Sequence, residues 1–222
     1  MEWRRAFGIV DSILEGETVL VEYTTSYIPE FLLKFFVEYS KERSVPLLID
    51  DNFDSLHVVY THAQFLGIDI DVDDVYVLKT GGKHDVGKVV ERVQFHPDPR
   101  VYLKNYIEAS SKLYEEIQRP LVNLVLGVHD IFLLVREPVD VYRIILNLQR
   151  FIGNRKRKAF YVINKNISNS LPGNLLPELE RIATTVIDLK HYHTGAELKV
   201  KKTVSPKLLG LSGRIEAGGW KE

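Results

Sequence analysis

The chain has 222 residues, no cysteine, one methionine and a formal net charge of −1 at pH 7, with 45% hydrophobic and 27% charged residues. This suits one large globular domain with a sizeable core, excludes disulfides and thiolate metal sites, and leaves nucleic acid only local basic patches to bind. No apolar run is long enough to cross a bilayer, and the opening MEWRRAFGIVDS lacks a signal-peptide core, so the expected setting is cytoplasmic with no membrane partner. The scarcity of Cys and Met is compatible with a thermophilic source.

In chain order, Thr18 to Glu22 (TVLVE) is a short apolar run fit for a buried strand, and Tyr23 to Ile28 is a turn. Pro29 suits the first turn of a helix whose Phe31, Leu32, Phe35, Phe36 and Tyr39 share one face, with Lys34, Glu38, Lys41 and Glu42 on the other. Leu47 to Ile49 forms a second strand, ended by Asp50 and Asp51. Asn52 is placed to cap a helix with Leu56, Val59, Tyr60, Ala63 and Leu66 inward, Asp54 in its first turn and Gly67 at its end. Val75 to Leu78 is a third strand, closed by Thr80, Gly81 and Gly82, and Val89 to Phe95 alternates as an edge or arm strand.

After the turn at His96 to Pro99, the spacing of Leu103, Tyr106, Ile107, Ser110, Leu113 and Tyr114 predicts a helix over 100–117. Leu121 to Leu126 is a buried-type strand. Pro138 opens a helix with Val141, Ile144, Ile145, Leu148, Phe151 and Ile152 inward, and Gly153 stops it. Ala159 to Ile163 is the next strand, and Asn164 to Asn174 is expected to be a polar loop. A short helix at 177–183 precedes the strand Thr185 to Leu189. Glu197 to Lys202 and Arg214 to Ala217 are placed to form an antiparallel C-terminal hairpin. Strands alternating with helices give an α/β class, a mainly parallel sheet covered on both faces, in a single domain over 1–222.

The order and spacing resemble a RecA-like core. The segment Val45 to Leu78 (VPLLIDDNFDSLHVVYTHAQFLGIDI, then the strand VYVL) resembles the second half of a KaiC-type member, in which a strand ends in two catalytic glutamates. The resemblance places Asp50 and Asp51 on that pair. Asn123 to Leu133 (NLVLGVHDIFL) is similar to the family's Walker B strand, with Gly127 where the magnesium-linked aspartate belongs. Thr184 to Ser205 is similar to its closing strands: Lys202 matches a family lysine, and Val204 and Ser205 replace the arginine and glycine after it. The match is interrupted by an inserted arm around 82–119. ERVQFHPDPRVYL and LQRFIGN also look like a small uncharacterised domain-of-unknown-function family of hyperthermophilic archaea with a KaiC/RecA-like core. This implies a three-layer RecA/KaiC-like fold and no particular activity.

In such a core the turn after the first strand would read G-x-x-x-x-G-K-[ST]. Laid over it, the glycine positions are Tyr23 and Ile28, the lysine is Pro29 and the hydroxyl is Glu30. Side chains then occupy the phosphate space, proline removes an amide and a charge, and glutamate adds a like charge. No cofactor is expected, and these positions argue against a nucleotide-hydrolysing enzyme.

Other chemistry is weighed residue by residue. Asp50, Asp51 and Asp54, with His57, offer a divalent-cation site, against a plain acidic helix start. Asp50, Asp51 and His96 are the catalytic candidates, His96 against a structural loop histidine. His191 and His193 lack a third ligand in view. Arg150, Arg155, Lys156, Arg157 and Lys158 form a basic cluster for nucleic acid, and Lys199, Lys201, Lys202 and Lys207 lie on or near the hairpin. The leading expectation is a non-catalytic protein that binds another protein or itself as a homo-oligomer. The arm's Tyr102, Tyr106 and Tyr114 are candidate anchors for that contact, against an arm that folds back and completes the core. The alternatives are a metal-dependent phosphate-ester or nucleotide enzyme using Asp50 and Asp51, and a nucleic-acid-binding module.

Overall fold

The computed structural model describes residues 6–24, 27–135, 137–171, 174–192 and 195–216. The strands are β1 (Thr18–Tyr23), β2 (Leu47–Asn52), β3 (Tyr76–Thr80), β4 (Lys88–Val93), β5 (Leu121–Leu126), β6 (Arg157–Asn164), β7 (Thr185–Tyr192), β8 (Gly195–Lys202) and β9 (Ser212–Glu216). The helices are α1 (Phe7–Ser12), α2 (Ile28–Arg43), α3 (Ser55–Phe65), α4 (Pro99–Ile117), α5 (Val128–Leu133), α6 (Pro138–Arg150), α7 (Lys165–Ser170) and α8 (Leu175–Ile182). Among the described residues the nine strands join one sheet in the order β4-β3-β2-β5-β6-β1-β7-β8-β9. Pairing is parallel from β4 through β7 and antiparallel for β7–β8 and β8–β9. This is the expected mainly parallel α/β sheet with its C-terminal antiparallel strands, Glu197 lying opposite Arg214.

Covered central strands are buried on both faces, which is why β1 and β5 read as mostly apolar runs, broken by Glu22 and Asn123. One face packs on α1, α2 and α3 through Phe7, Phe31, Phe35, Phe36 and Leu56. The other packs on α4, α6 and α8 through Tyr102, Tyr106, Leu113, Ile144 and Leu179. Among the described residues no helix is long and apolar enough to cross a membrane.

Several local expectations change. The polar stretch after β6 is helical: the Asn164 side chain accepts from the amides of Asn166 and Ile167 and so caps α7, while Pro172 and Gly173 lie outside the described residues. Asn52 does not cap α3. It ends β2, and its side chain donates to the Leu126 carbonyl at 2.7 Å. Phe53 and Asp54 then turn the chain with φ of 55° and 65°, and the Asp51 carboxylate accepts the Leu56 amide at 2.9 Å in the role assigned to Asn52. The segment after β3 crosses over to pair in parallel with it as β4 and then lays α4 over the sheet. Tyr102, Tyr106 and Tyr114 are buried there, so the arm completes the core and these residues are not surface anchors.

Candidate functional site

Open α/β sheets bind ligands in the crevice beyond the carboxyl ends of their strands. Here the connections leaving β1, β2 and β5 each pass through left-handed backbone, at Tyr27, at Phe53 with Asp54, and at Gly127. Between them lies a cleft of about 240 Å³ lined by Tyr23, Pro29, Phe53, Leu126, Gly127 and His129. The four phosphate-loop positions meet this edge in different ways. Tyr23 ends β1 half-buried and Pro29 lines the cleft, whereas Ile28 points into the core. Glu30 is buried in the first turn of α2, with one oxygen 3.0 Å from His62 Nδ1 and the other without a hydrogen-bond partner. The start of α2 therefore offers a proline without N–H and a carboxylate where an anion would need donors.

Neighbouring residues of a strand face opposite sides of a sheet, and this separates Asp50 from Asp51. Asp50 lies under α4, where it accepts from the Tyr106 hydroxyl at 2.6 Å and from Asn123 Nδ2 at 3.0 Å. Asn123 Oδ1 in turn accepts from Arg157 Nη1 at 2.6 Å, and Arg157 Nη2 donates to the Tyr161 hydroxyl at 3.2 Å. The Arg157 guanidinium stands 4.9 Å from the Phe151 ring centre, and the residue is only 1% exposed. Burial pushes the Asp50 carboxyl up, opposed by Tyr106, Arg157 and Asn123.

Asp51 faces the other way, to a buried ammonium. Lys79 Nζ lies 2.7 Å from Asp51 Oδ2 and 2.7 Å from Asp54 Oδ1, and Lys79 and Asp51 are each 1% exposed. Asp54 also accepts the amides of Lys83 and His84, and the His84 ring stacks on His57 at 4.1 Å. Burial pushes the Asp54 carboxyl up, but the bonds from Lys79, Lys83 and His84 outweigh it and hold the group well below the usual carboxylate range. For Lys79 burial acts downward, and the two aspartates more than restore the ammonium. The candidate metal ligands are thus split: Asp51 and Asp54 converge on a lysine, and Asp50 sits across the sheet. Among the described residues no group of three or more His, Asp or Glu is arranged to hold a metal ion.

Gly127 carries the close approach at the end of β5. A Cβ there would lie 2.1 Å from Ser55 Oγ and 2.6 Å from the Asn52 carbonyl, at φ 69°. Ser55 Oγ donates to Asn52 O at 2.7 Å and also lies 3.2 Å from Asp130 Oδ2, while His129 Nε2 is 3.7 Å from Asp130 Oδ1. The carboxylate thus stands between hydroxyl and imidazole, which is not the order that activates a serine. Burial pushes the His129 imidazole down, against the pull of Asp130.

The basic cluster does not form one surface. Arg157 is in the core network, a correction to its place among nucleic-acid contacts, and Lys158 is half-buried with Nζ donating to the Val10 carbonyl at 3.2 Å. Arg155 and Lys156 remain exposed, and Arg150 lines a separate groove. Lys201 pairs with Glu22 at 3.0 Å and with Glu180, while Lys202 donates to the last carbonyls of α8 at Glu180 and Arg181. His96 is exposed and accepts the Asp98 amide at 3.0 Å, a turn contact ahead of α4. His191 is exposed on β7, and His193 lies outside the described residues.

Sequence reading missed Lys79 and Asn123 and gave Arg157 a different role. For Lys79 and Asn123 the signal was a polar side chain within a strand that flanks β2, the strand already suspected of carrying acids; Arg157 lies one strand further out, on β6.

Comparison with solved structures places the fold. A protein from Pyrococcus horikoshii OT3, solved in a structural study, is 28% identical with a TM-score of 0.78, over 96% of this chain and 98% of that one. A KaiC-like protein from the same organism matches at 13% identity with a TM-score of 0.61, over 92% of this chain and 87% of that one. The architecture is therefore the KaiC-like α/β fold. No curated protein matches the sequence. The profile of the family described as Pyrococcus protein of unknown function, DUF257, matches residues 8–213, and the chain belongs to that family.

Proposed function

We propose that this protein uses a KaiC-like scaffold to bind another protein or a second copy of itself, without turning over a nucleotide. The observation that carries the reading is the use made of the two acids that align with the catalytic pair. Asp51 is engaged with the Lys79 ammonium and the Leu56 amide, and Asp50 with Tyr106 and Asn123, each set enclosed in the core. Both oxygens of each carboxylate are taken by protein donors and the side chains are almost fully buried, which leaves neither acid placed to act as a general base on a cleft ligand. The start of α2 supports the same reading, because Pro29 and Glu30 replace donors with a ring and a negative charge. Binding is supported by the surface of α5 and α6, where Leu133, Leu134, Val139, Tyr142 and Leu146 are all exposed.

Calorimetry with Mg-ATP and Mg-GTP tests the first half. The expected result is no saturable heat at micromolar protein and no phosphate release. Micromolar affinity that is lost on altering the Tyr23 to Glu30 turn, or hydrolysis abolished by Asp51→Asn, would overturn the reading. Light scattering over a dilution series tests self-association directly.

A further inference from the structure

Between α4 and α6 runs a surface groove of about 620 Å³. Its aliphatic side chains are Leu103 and Ile107 from α4 and Leu146 from α6. Its cations are Arg100 and Lys104 on one wall and Arg143 and Arg150 on the other, with Glu108 the single acid of the lining. We propose that this groove docks an acidic amphipathic helix of a partner protein; the proposal rests on the protein-binding reading above and gives that reading a location and a ligand chemistry.

The two walls have helical periodicity suited to a third helix. Arg143 and Arg150 are two turns apart, roughly 10 Å along the axis, and Arg100 and Lys104 are one turn apart, about 6 Å. A helix lying between them sets its apolar residues on Leu103, Ile107 and Leu146 and its flanking carboxylates against the four cations, as helix-in-groove complexes do. Arg100 and Arg143 are held in place by Asp98 at 2.6 Å and Asp140 at 2.5 Å, while Lys104 and Arg150 make no ion pair among the described residues. Asn147, 5% exposed and part of the lining, leaves its Oδ1 without a hydrogen-bond partner. Buried amides are nearly always satisfied, and a donor from a docked segment with a small turn of this side chain would complete it. The exposed Val139 and Tyr142 extend the apolar surface along α6.

Charge alone would also suit nucleic acid, but the rest of the groove does not. Single-strand binders stack bases on aromatic platforms, and this lining is aliphatic and carries Glu108. An amphipathic helix uses both the aliphatic floor and the cationic walls.

The test is fluorescence anisotropy on the full chain with labelled synthetic peptides of about 18 residues, roughly 27 Å as a helix. One has leucine at helical spacing flanked by glutamate, a second replaces every Glu by Lys, and a third replaces every Leu by Ser. A labelled oligo-dT strand is the fourth probe. The Glu/Leu peptide is expected to bind at least about tenfold tighter than the other three, and Arg143→Glu with Arg150→Glu to remove about tenfold or more of that affinity. Lys190→Glu with Lys199→Glu, an equal charge change on β7 and β8 outside the groove lining, is expected to leave it within about twofold, because charges that do not contact the peptide act only through screened solvent. Leu146→Asp supplies an independent single variant with the same expected loss.

Equal binding of the Lys peptide, insensitivity to the Arg143 and Arg150 changes, or tighter binding of oligo-dT would overturn the proposal. So would a concentration-dependent dimer dispersed by the same variants, which would make the occupant a second copy. If the peptides fail while Mg-ATP still gives no heat and the protein self-associates elsewhere, the groove falls and the function reading stands. Binding and hydrolysis of Mg-ATP would remove the function reading whatever the peptides do.

Discussion

Replacing Asp51 by asparagine distinguishes a structural acid from a catalytic one by the sign of the stability change. Catalytic carboxylates placed for metal or substrate repel one another when the ligand is absent, so neutralising one commonly stabilises the free protein. In this structure Asp51 Oδ2 holds Lys79 at 2.7 Å and Oδ1 accepts the Leu56 amide at 2.9 Å, with both charged groups enclosed. Breaking a buried ion pair costs about 3–5 kcal/mol when one charge is left alone. Lys79 is not left alone, because Asp54 remains 2.7 Å away, and an asparagine oxygen still receives the Leu56 amide. The expected loss is therefore smaller, about 2–3 kcal/mol, in line with a hydrogen bond between charged groups. For a chain of this length that corresponds to roughly 4–12 °C in Tm. Guanidinium denaturation of Asp51→Asn, Lys79→Met and the double variant measures it. Lys79→Met should cost more than Asp51→Asn, since it leaves two carboxylates facing each other, and the double variant should lose less than the sum. An unchanged or raised midpoint for Asp51→Asn would refute the structural role.

Two further outcomes follow from the geometry. Gly127→Ala places a methyl 2.1 Å from Ser55 Oγ and 2.6 Å from the Asn52 carbonyl, so it should cost about 2–4 kcal/mol by urea unfolding. Gly67→Ala, at the same φ of 69° with nothing within 4 Å, should cost only the backbone share of about 1 kcal/mol, and equal losses at both sites would deny the close approach. Burial pushes the Glu22 carboxyl up to about 7, helped by Glu180 and opposed by Lys201. Because an acid with a raised folded pKa favours folding below its unfolded value near 4.5 and loses that benefit as pH rises through 7, Glu22→Gln should become more stable relative to wild type between pH 5 and pH 8.5. The relative gain is at most about 3 kcal/mol, and a difference flat with pH would contradict the assignment.

The parallel sheet and its helix cover were legible because buried strands are short apolar runs and helix faces repeat at 3.6 residues. Leu121–Leu126 and Phe31 to Tyr39 carried those signals openly. Short helices escaped for the converse reason: α5 has six residues and α7 begins in a run of asparagines and serines, too brief or too polar for a periodic face. Asn52 was misplaced because the sequence gives no sign that Phe53 and Asp54 both turn left-handed, which lets β2 run to Asn52 and hands the Leu56 amide to Asp51. The acids were visible but their partners were not. Lys79, Asn123 and Arg157 lie 28, 73 and 107 residues from the aspartates whose networks they complete, and only strand order brings them together.

The position of β1 has a consequence for how the chain reaches its fold. It is the first strand made, yet its two neighbours are β6 and β7, so both of its edges wait for residues beyond 156. On a ribosome adding about 5–20 residues per second, β1 spends several seconds with unpaired amides on either side. The α2–β2–α3–β3 segment has its own neighbours in sequence and can pack earlier, but the sheet cannot close around its centre until the last quarter of the chain emerges. Non-local pairing of this kind makes folding slow and leaves an apolar strand open to mispairing during synthesis.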